Sequence, residues 1–234
     1  MVGVATAALV GHTAPAAAAS NTVRLLLPRL GGTGARGGVA LSFDDGPHPE
    51  GTPAVLAALE SLGWRATFFL LGDQVARFPD VARSVVAAGH EVGVHGYQHR
   101  NHLGRTPGGL RRDLTRARDV IADTTGVTPS WFRPPYGVLT GGTLLAARSA
   151  GLTPVLWTAW GRDWLDADGP TVTRTVLAGL RDGGTILLHD SDCTGTAGSW
   201  RGAAASLPLL AAALDNRGWR VRTLTEHTRS GGRR

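Results

Sequence analysis

The chain has 234 residues, 42% of them hydrophobic and 18% charged, which excludes a disordered chain and suits one folded domain with a short tail. A single cysteine, Cys193, excludes an intramolecular disulfide framework and a cysteine-based zinc finger, and no apolar run approaches the ~20 residues of a membrane span. The net charge of +6 comes from 24 basic residues, every one arginine, and 18 acidic ones. The arginines are spread out with no aromatic-rich motif beside them, so nucleic acid is not an expected partner, while an anionic wall polymer is compatible.

Residues 1–19 are almost all small or apolar, and 14–20 read A-P-A-A-A-A-S, as before an A-x-A type cleavage site, although no basic residue precedes the apolar stretch. Residues 1–20 are expected to be a signal peptide or a disordered N-terminal segment. The first alternative predicts a secreted or cell-surface protein. Residues 21–227 form the expected folded domain, and 228–234 (T-R-S-G-G-R-R) a polar tail.

In chain order, 39–43 (V-A-L-S-F) is a short apolar run that stops at charge, as a buried strand does. Helical spacing over 52–62 ends at Gly63. A strand over 66–71, a helix over 75–88 closed by Gly89, and a strand over 91–95 follow. Residues 106–124 predict a surface helix, with Leu110, Leu114, Val120 and Ile121 among arginines and acids. Then come a short strand (130–133), a helix (139–149), a strand (153–158), a helix (172–180), a strand (185–189), a helix (207–214) and a last strand (219–224). Seven strands alternating with helices imply a parallel sheet. It can be open or closed, and polar residues at several strand ends favour closure, which gathers them on one face. The expected fold is α/β, a distorted (β/α) barrel of about seven parallel strands with the active site at their C-terminal ends.

Five polar clusters sit at those ends. Asp44-Asp45-Gly46-Pro47 places two carboxylates side by side, which repel unless a cation is near; a metal can use one and leave the other as a base. Alone, the cluster also reads as an ordinary Asp-Gly turn. His95-Gly96-Tyr97-Gln98-His99 sets two imidazoles four apart, on one face if the strand runs into a helical turn, a spacing common among zinc ligands. Arg133-Pro134-Pro135-Tyr136-Gly137 is a rigid strand exit. Asp163-Trp164 follows an apolar strand, and His189-Asp190 ends another. Each alone is compatible with a surface or rim residue.

In this order the clusters D-D-G-P, H-x-x-x-H, R-x-P-Y, D-W and L-x-H-D resemble the polysaccharide deacetylase family, carbohydrate esterase family 4, across about residues 39–224. The resemblance implies a distorted (β/α) barrel and a metal-dependent hydrolase that removes N-acetyl groups from N-acetylglucosamine-containing glycans, chitin oligosaccharides or peptidoglycan. By that resemblance Asp45, His95 and His99 would hold a divalent metal, usually Zn²⁺, with Co²⁺, Ni²⁺ or Mn²⁺ as alternatives. Asp44 would be the base, oriented by Arg133, and His189 the acid, tuned by Asp163. The backbone N–H of Tyr136 would hold the oxyanion, Trp164 would wall the groove, and Leu187 would line the acetyl-methyl pocket. An O-acetyl xylan esterase and a catalytically silent wall-binding homologue are the alternatives. Two departures stand out. Gly96 occupies a position usually Ser or Thr, and Trp160-Gly161-Arg162 replaces a longer acidic form of the fourth motif. Cys193 reads as a small loop residue near the site.

Overall fold

The computed structural model describes residues 27–230; the expected signal segment, residues 1–20, lies outside the described residues. The sheet is built around β1 (Gly38–Asp44), every residue of which is buried. Burial on both faces is the mark of a parallel strand covered by helices. β1 pairs in parallel with β2 (Thr67–Leu70) on one side and β7 (Thr185–His189) on the other. The order continues through β3 (Glu91–Val94), β4 (Trp131–Phe132) and β5 (Thr153–Pro154) at one edge, and β6 (Ala159–Trp160) forms the other. β8 (Arg220–Arg222) pairs with the first half of β1.

The sheet therefore has eight strands where the sequence predicts about seven. The difference lies around the expected strand 153–158, which shortens to β5 at 153–154, with β6 added just beyond it at 159–160. Val155, Leu156 and Trp157 are consecutive and all buried, and they lie between β5 and β6, outside both strands. This run crosses between the two sheet edges. Around that gap the N-terminal turn docks: Leu156 N–H donates to Leu30 O at 2.6 Å, and the Thr185 hydroxyl donates to Gly32 O at 2.8 Å. The result is a distorted barrel, curled but not closed by a continuous ladder.

Eight helices follow among the described residues: α1 (Gly51–Ser61), α2 (Gly72–Arg77), α3 (Pro79–Ala87), α4 (Pro107–Thr125), α5 (Gly141–Ser149), α6 (Gly169–Gly179), α7 (Trp200–Asp215) and α8 (Leu224–Ser230). The expected helix 75–88 is two helices, because Pro79 disfavours helical geometry at the residue before it; Phe78 sits at φ −129°, ψ 59°. α4 matches its expected span. Thr106 caps it by accepting from Gly109 N–H at 3.2 Å, and Gly126 ends it at φ 74°. α7 begins earlier than expected, at Trp200, and the last expected strand gives way to α8 at Leu224. Thr228, placed in the tail by the sequence, lies within α8.

Candidate metal centre and catalytic cleft

The strand ends converge as a barrel requires. Asp44 closes β1 and lies in register with His189 at the end of β7. His95 follows β3, Arg133 follows β4, and Asp163 follows β6. Each helix-bound crossover thus delivers one polar side chain to a shared rim.

Asp45, His95 and His99 offer ligand atoms that all lie within 4.8 Å of one another. His95 Nε2 is 3.2 Å from Asp45 Oδ1, and His99 Nε2 is 3.5 Å from the same oxygen. That oxygen is buried and has no hydrogen-bond donor. A buried carboxylate oxygen facing two imidazoles, with no donor of its own, is the donor set a divalent cation completes. His95 Nδ1 lies 2.8 Å from Arg133 O, so its N–H donates there and leaves Nε2 as a lone pair aimed at the site. His99 has no such second partner, and its ring is held edge-on to Tyr136 at 4.4 Å. Burial alone would raise the Asp45 carboxyl, but its imidazole neighbours, His95 foremost with His189 and His99, hold it well below the usual range. Burial drives His99 down to about 4, so it is neutral and ready to ligate at neutral pH.

Local backbone explains why the pattern works. Asp45 adopts φ 76°, the left-handed region that Asp tolerates better than most residues. This turn lets neighbouring carboxylates face different partners. The two histidines do not sit on a helical turn, as their spacing suggested; 95–100 is a non-helical bend. Gly96, at φ 100°, makes that bend, which accounts for glycine where Ser or Thr was expected. The bend is pinned on α2, whose Gly72 and Asp73 N–H groups donate to the carbonyls of Gly96 and Tyr97.

Asp44 and His189 flank the trio, each held by a buried partner. Arg133 is fully buried; its Nη1 donates to Asp44 Oδ1 at 2.7 Å and Ser42 Oγ at 2.9 Å, and its Nη2 to Leu156 O at 2.8 Å. Asp163 accepts twice from His189, at Oδ2 from the backbone N–H at 2.6 Å and at Oδ1 from Nδ1 at 3.1 Å. His189 Nε2 is thereby left for the cleft. Burial pushes His189 down, but Asp163, with Asp45 and Asp44 behind it, pushes it up to about 10. Part of that rise comes from carboxylates whose charge a bound cation would offset.

The cleft is about 210 Å³ and is lined by Asp44, His95, His99 and His189, with Leu187, Trp157, Trp160, Trp164 and Tyr136 as apolar walls. Tyr136 sits at φ 59° in a tight turn whose own hydrogen bonds run from Gly137 N–H and Val138 N–H, leaving the Tyr136 N–H outside that network. Trp164 stands edge-on to His189 at 5.6 Å, and Trp160 packs on Trp164 at 4.9 Å. Every residue singled out in the sequence is thus in or directly behind one cleft. Two neighbours carried no sequence signal. The Thr194 hydroxyl donates to Asp45 Oδ2 at 2.5 Å, and Thr52 donates to buried Asp190 at 2.5 Å beneath the Asp45–Gly46 turn. Cys193 approaches the site only through its thiol, 3.7 Å from the Asp45 carbonyl oxygen.

Comparison with known proteins agrees with this geometry. The family description "Polysaccharide deacetylase" matches residues 31–155. A chitooligosaccharide deacetylase of Bradyrhizobium sp. (strain ANU 289) is 35% identical over 195 residues, covering 80% of this chain and 89% of that protein. The peptidoglycan-N-acetylglucosamine deacetylase PgdA of Listeria monocytogenes is 32% identical over 188 residues, again 80% of this chain but only 38% of the Listeria protein. The solved Bc1960 peptidoglycan N-acetylglucosamine deacetylase superposes with a TM-score of 0.77 at 29% identity, covering 86% of this chain and 93% of that one. The chain belongs to the polysaccharide deacetylase family.

Proposed function

We propose that the protein is a secreted or cell-surface, metal-dependent hydrolase that removes N-acetyl groups from N-acetylglucosamine-containing glycans. The observation that carries this is the pairing across one cleft. An Arg133-held carboxylate and an Asp163-held imidazole face each other over a three-residue ligand set. A base and an acid on either side of a cation site are what amide hydrolysis needs, since water must lose a proton and the leaving amine must gain one.

In this reading Asp45, His95 and His99 hold the cation, with Zn²⁺ the first choice for two imidazoles and a carboxylate. When bound, it would polarise the acetyl carbonyl and lower the pKa of a water. Asp44, fixed by Arg133, takes the proton from the attacking water. The Tyr136 N–H donates to the oxyanion as charge develops there. His189, its Nδ1 engaged by Asp163, protonates the leaving nitrogen from Nε2. Leu187 lines the pocket for the acetyl methyl, and Trp164 walls the groove.

Acetate release by metal-loaded protein, with chitin oligosaccharides, peptidoglycan and acetylated xylan in parallel, tests the proposal. Release from N-acetylated glycans, abolished by a chelator and restored by Zn²⁺, is the expected result. Release from acetylxylan alone would make the protein an O-acetyl esterase. No release from any substrate would make it a silent wall-binding homologue.

A further inference from the structure

Beside the cleft lies a second depression, of about 430 Å³, between the loop that carries the proposed metal ligands and helix α4. Tyr97 and Gln98, the residues between His95 and His99, form part of one wall, so the same loop serves the cleft on one side and this groove on the other. Arg100, Arg105, Arg112 and Arg116 border the groove, with Asp113 as its one carboxylate.

That carboxylate is already engaged. Asp113 Oδ1 pairs with Arg105 at 3.0 Å, and Oδ2 accepts the Tyr97 N–H at 3.0 Å. Arg116 is pre-set by the loop: its guanidinium lies 3.7 Å from the centre of the Tyr97 ring and donates to the Tyr97 hydroxyl at 2.8 Å. Neither contact neutralises its charge. Among the described residues, Arg100, Arg112 and Arg116 form no ion pair, and all three are exposed. Arg112 and Arg116 are one turn apart on α4 and also border the next depression, with Arg111, so the positive strip continues along the helix. Its acids there are Asp119, paired with Arg118, and Asp123.

Three uncompensated guanidinium groups around a groove that begins one residue from His99 suit a ligand with spaced carboxylates. A neutral glycan offers no charge to pair with these guanidinium groups. We propose that this groove binds the carboxylate-bearing peptide side chains of peptidoglycan while the glycan strand occupies the cleft, and so selects peptidoglycan over neutral chitin oligosaccharides. This inference rests on the N-deacetylase reading and names the substrate class within it.

The test uses the full chain and the double variant Arg100→Gln/Arg112→Gln, which removes two unpaired charges and no residue of the cleft. Peptidoglycan fragments with intact peptides and neutral chitin pentasaccharide are the two substrates. The variant should raise KM for the peptide-bearing fragments by about three- to ten-fold at low salt. Its kcat on them should hold, and both constants for the pentasaccharide should be unchanged. Raising salt from 50 to 300 mM should weaken the wild-type preference, since exposed charge pairs are screened within a Debye length. An equal change on both substrates, or none on the peptide-bearing one, overturns the inference. Direct titration of both fragments into the metal-free protein separates this from the reading beneath it. If no acetate is released but the fragments bind with the arginine-dependent preference, the deacetylase reading fails and the groove stands. If acetate is released without the preference, the groove fails alone.

Discussion

Arg133 carries its charge into the interior with no solvent contact, and its worth depends on Asp44 being there. Arg133→Met would leave the Asp44 carboxylate buried and unpaired, a loss of about 3–5 kcal/mol. Urea denaturation of the two proteins measures it, and a loss below about 1 kcal/mol would show that Asp44 finds other compensation. Thr194 acts more gently. Its hydroxyl holds the Asp45 oxygen that faces away from the histidines, so Thr194→Val should keep the melting temperature and weaken Zn²⁺ binding by about ten-fold. Competition with a chromophoric chelator reads this, and unchanged affinity would remove Thr194 from the site. The residues in the five clusters were legible in the sequence because their order and strand-end positions are specific. Thr194 was not, since its partner is 149 residues away and a threonine in a Gly-rich loop looks like any other. The role of Gly96 was legible only in part. The sequence shows a missing hydroxyl, while the backbone shows the positive φ that glycine supplies.

At the level of elements, α7 lies close against the chain that leads into α6. A Cβ on Gly202 would overlap the Ala167 carbonyl oxygen, a backbone atom that cannot swing aside. Gly202→Ala should therefore cost about 2–3 kcal/mol, or about 5–10 °C in melting temperature, rather than show the usual helix gain. Thermal unfolding measures it, and an unchanged or raised melting temperature would contradict the packing. Helix α4 and strands β1, β2, β3 and β7 could be placed from sequence because cap, period and stop signals coincide there. The crossing at 155–158 could not. Its apolar run reads as a strand, and only closure of the sheet decides that it must bridge two edges. The helix break at Phe78 was readable from Pro79 but competes with strong apolar spacing on both sides.

For the whole molecule, burial of ionisable groups sets the response to pH. His90, His99 and His102 are each held down to about 4 by burial, from an ordinary value of 6.5. His90 also accepts the Ala66 N–H at Nδ1, a bond that protonation there would break. A group whose folded value is depressed gives stability above its unfolded value and loses it as pH falls, so these three destabilise the metal-free protein from about pH 6.5 to 4. Asp190, pushed up to about 7 by burial, and Asp73, also raised by burial, work the other way over this range, while burial lowers His227 in the same sense as the three histidines. His189, raised to about 10, has its full effect already below 6.5 and loses it only on the alkaline side. Stability of the metal-free protein should fall by several kcal/mol between pH 6.5 and 4, on the order of 2 kcal/mol per histidine, and chemical denaturation at a series of pH values would show it. A flat profile would mean that these histidines titrate freely.

On the same shared rim, one substitution separates the base from the metal ligands. Asp44→Asn keeps the shape, the Arg133 contact at one oxygen and all three proposed metal ligands, and removes only the base. Acetate release from chitin pentasaccharide and Zn²⁺ stoichiometry, measured together on wild type and variant, separate the two roles assigned to the adjacent aspartates. Both proteins should bind one Zn²⁺, and the variant's rate should be at least about 100-fold lower. A variant that binds the metal and releases acetate at the wild-type rate would contradict this assignment.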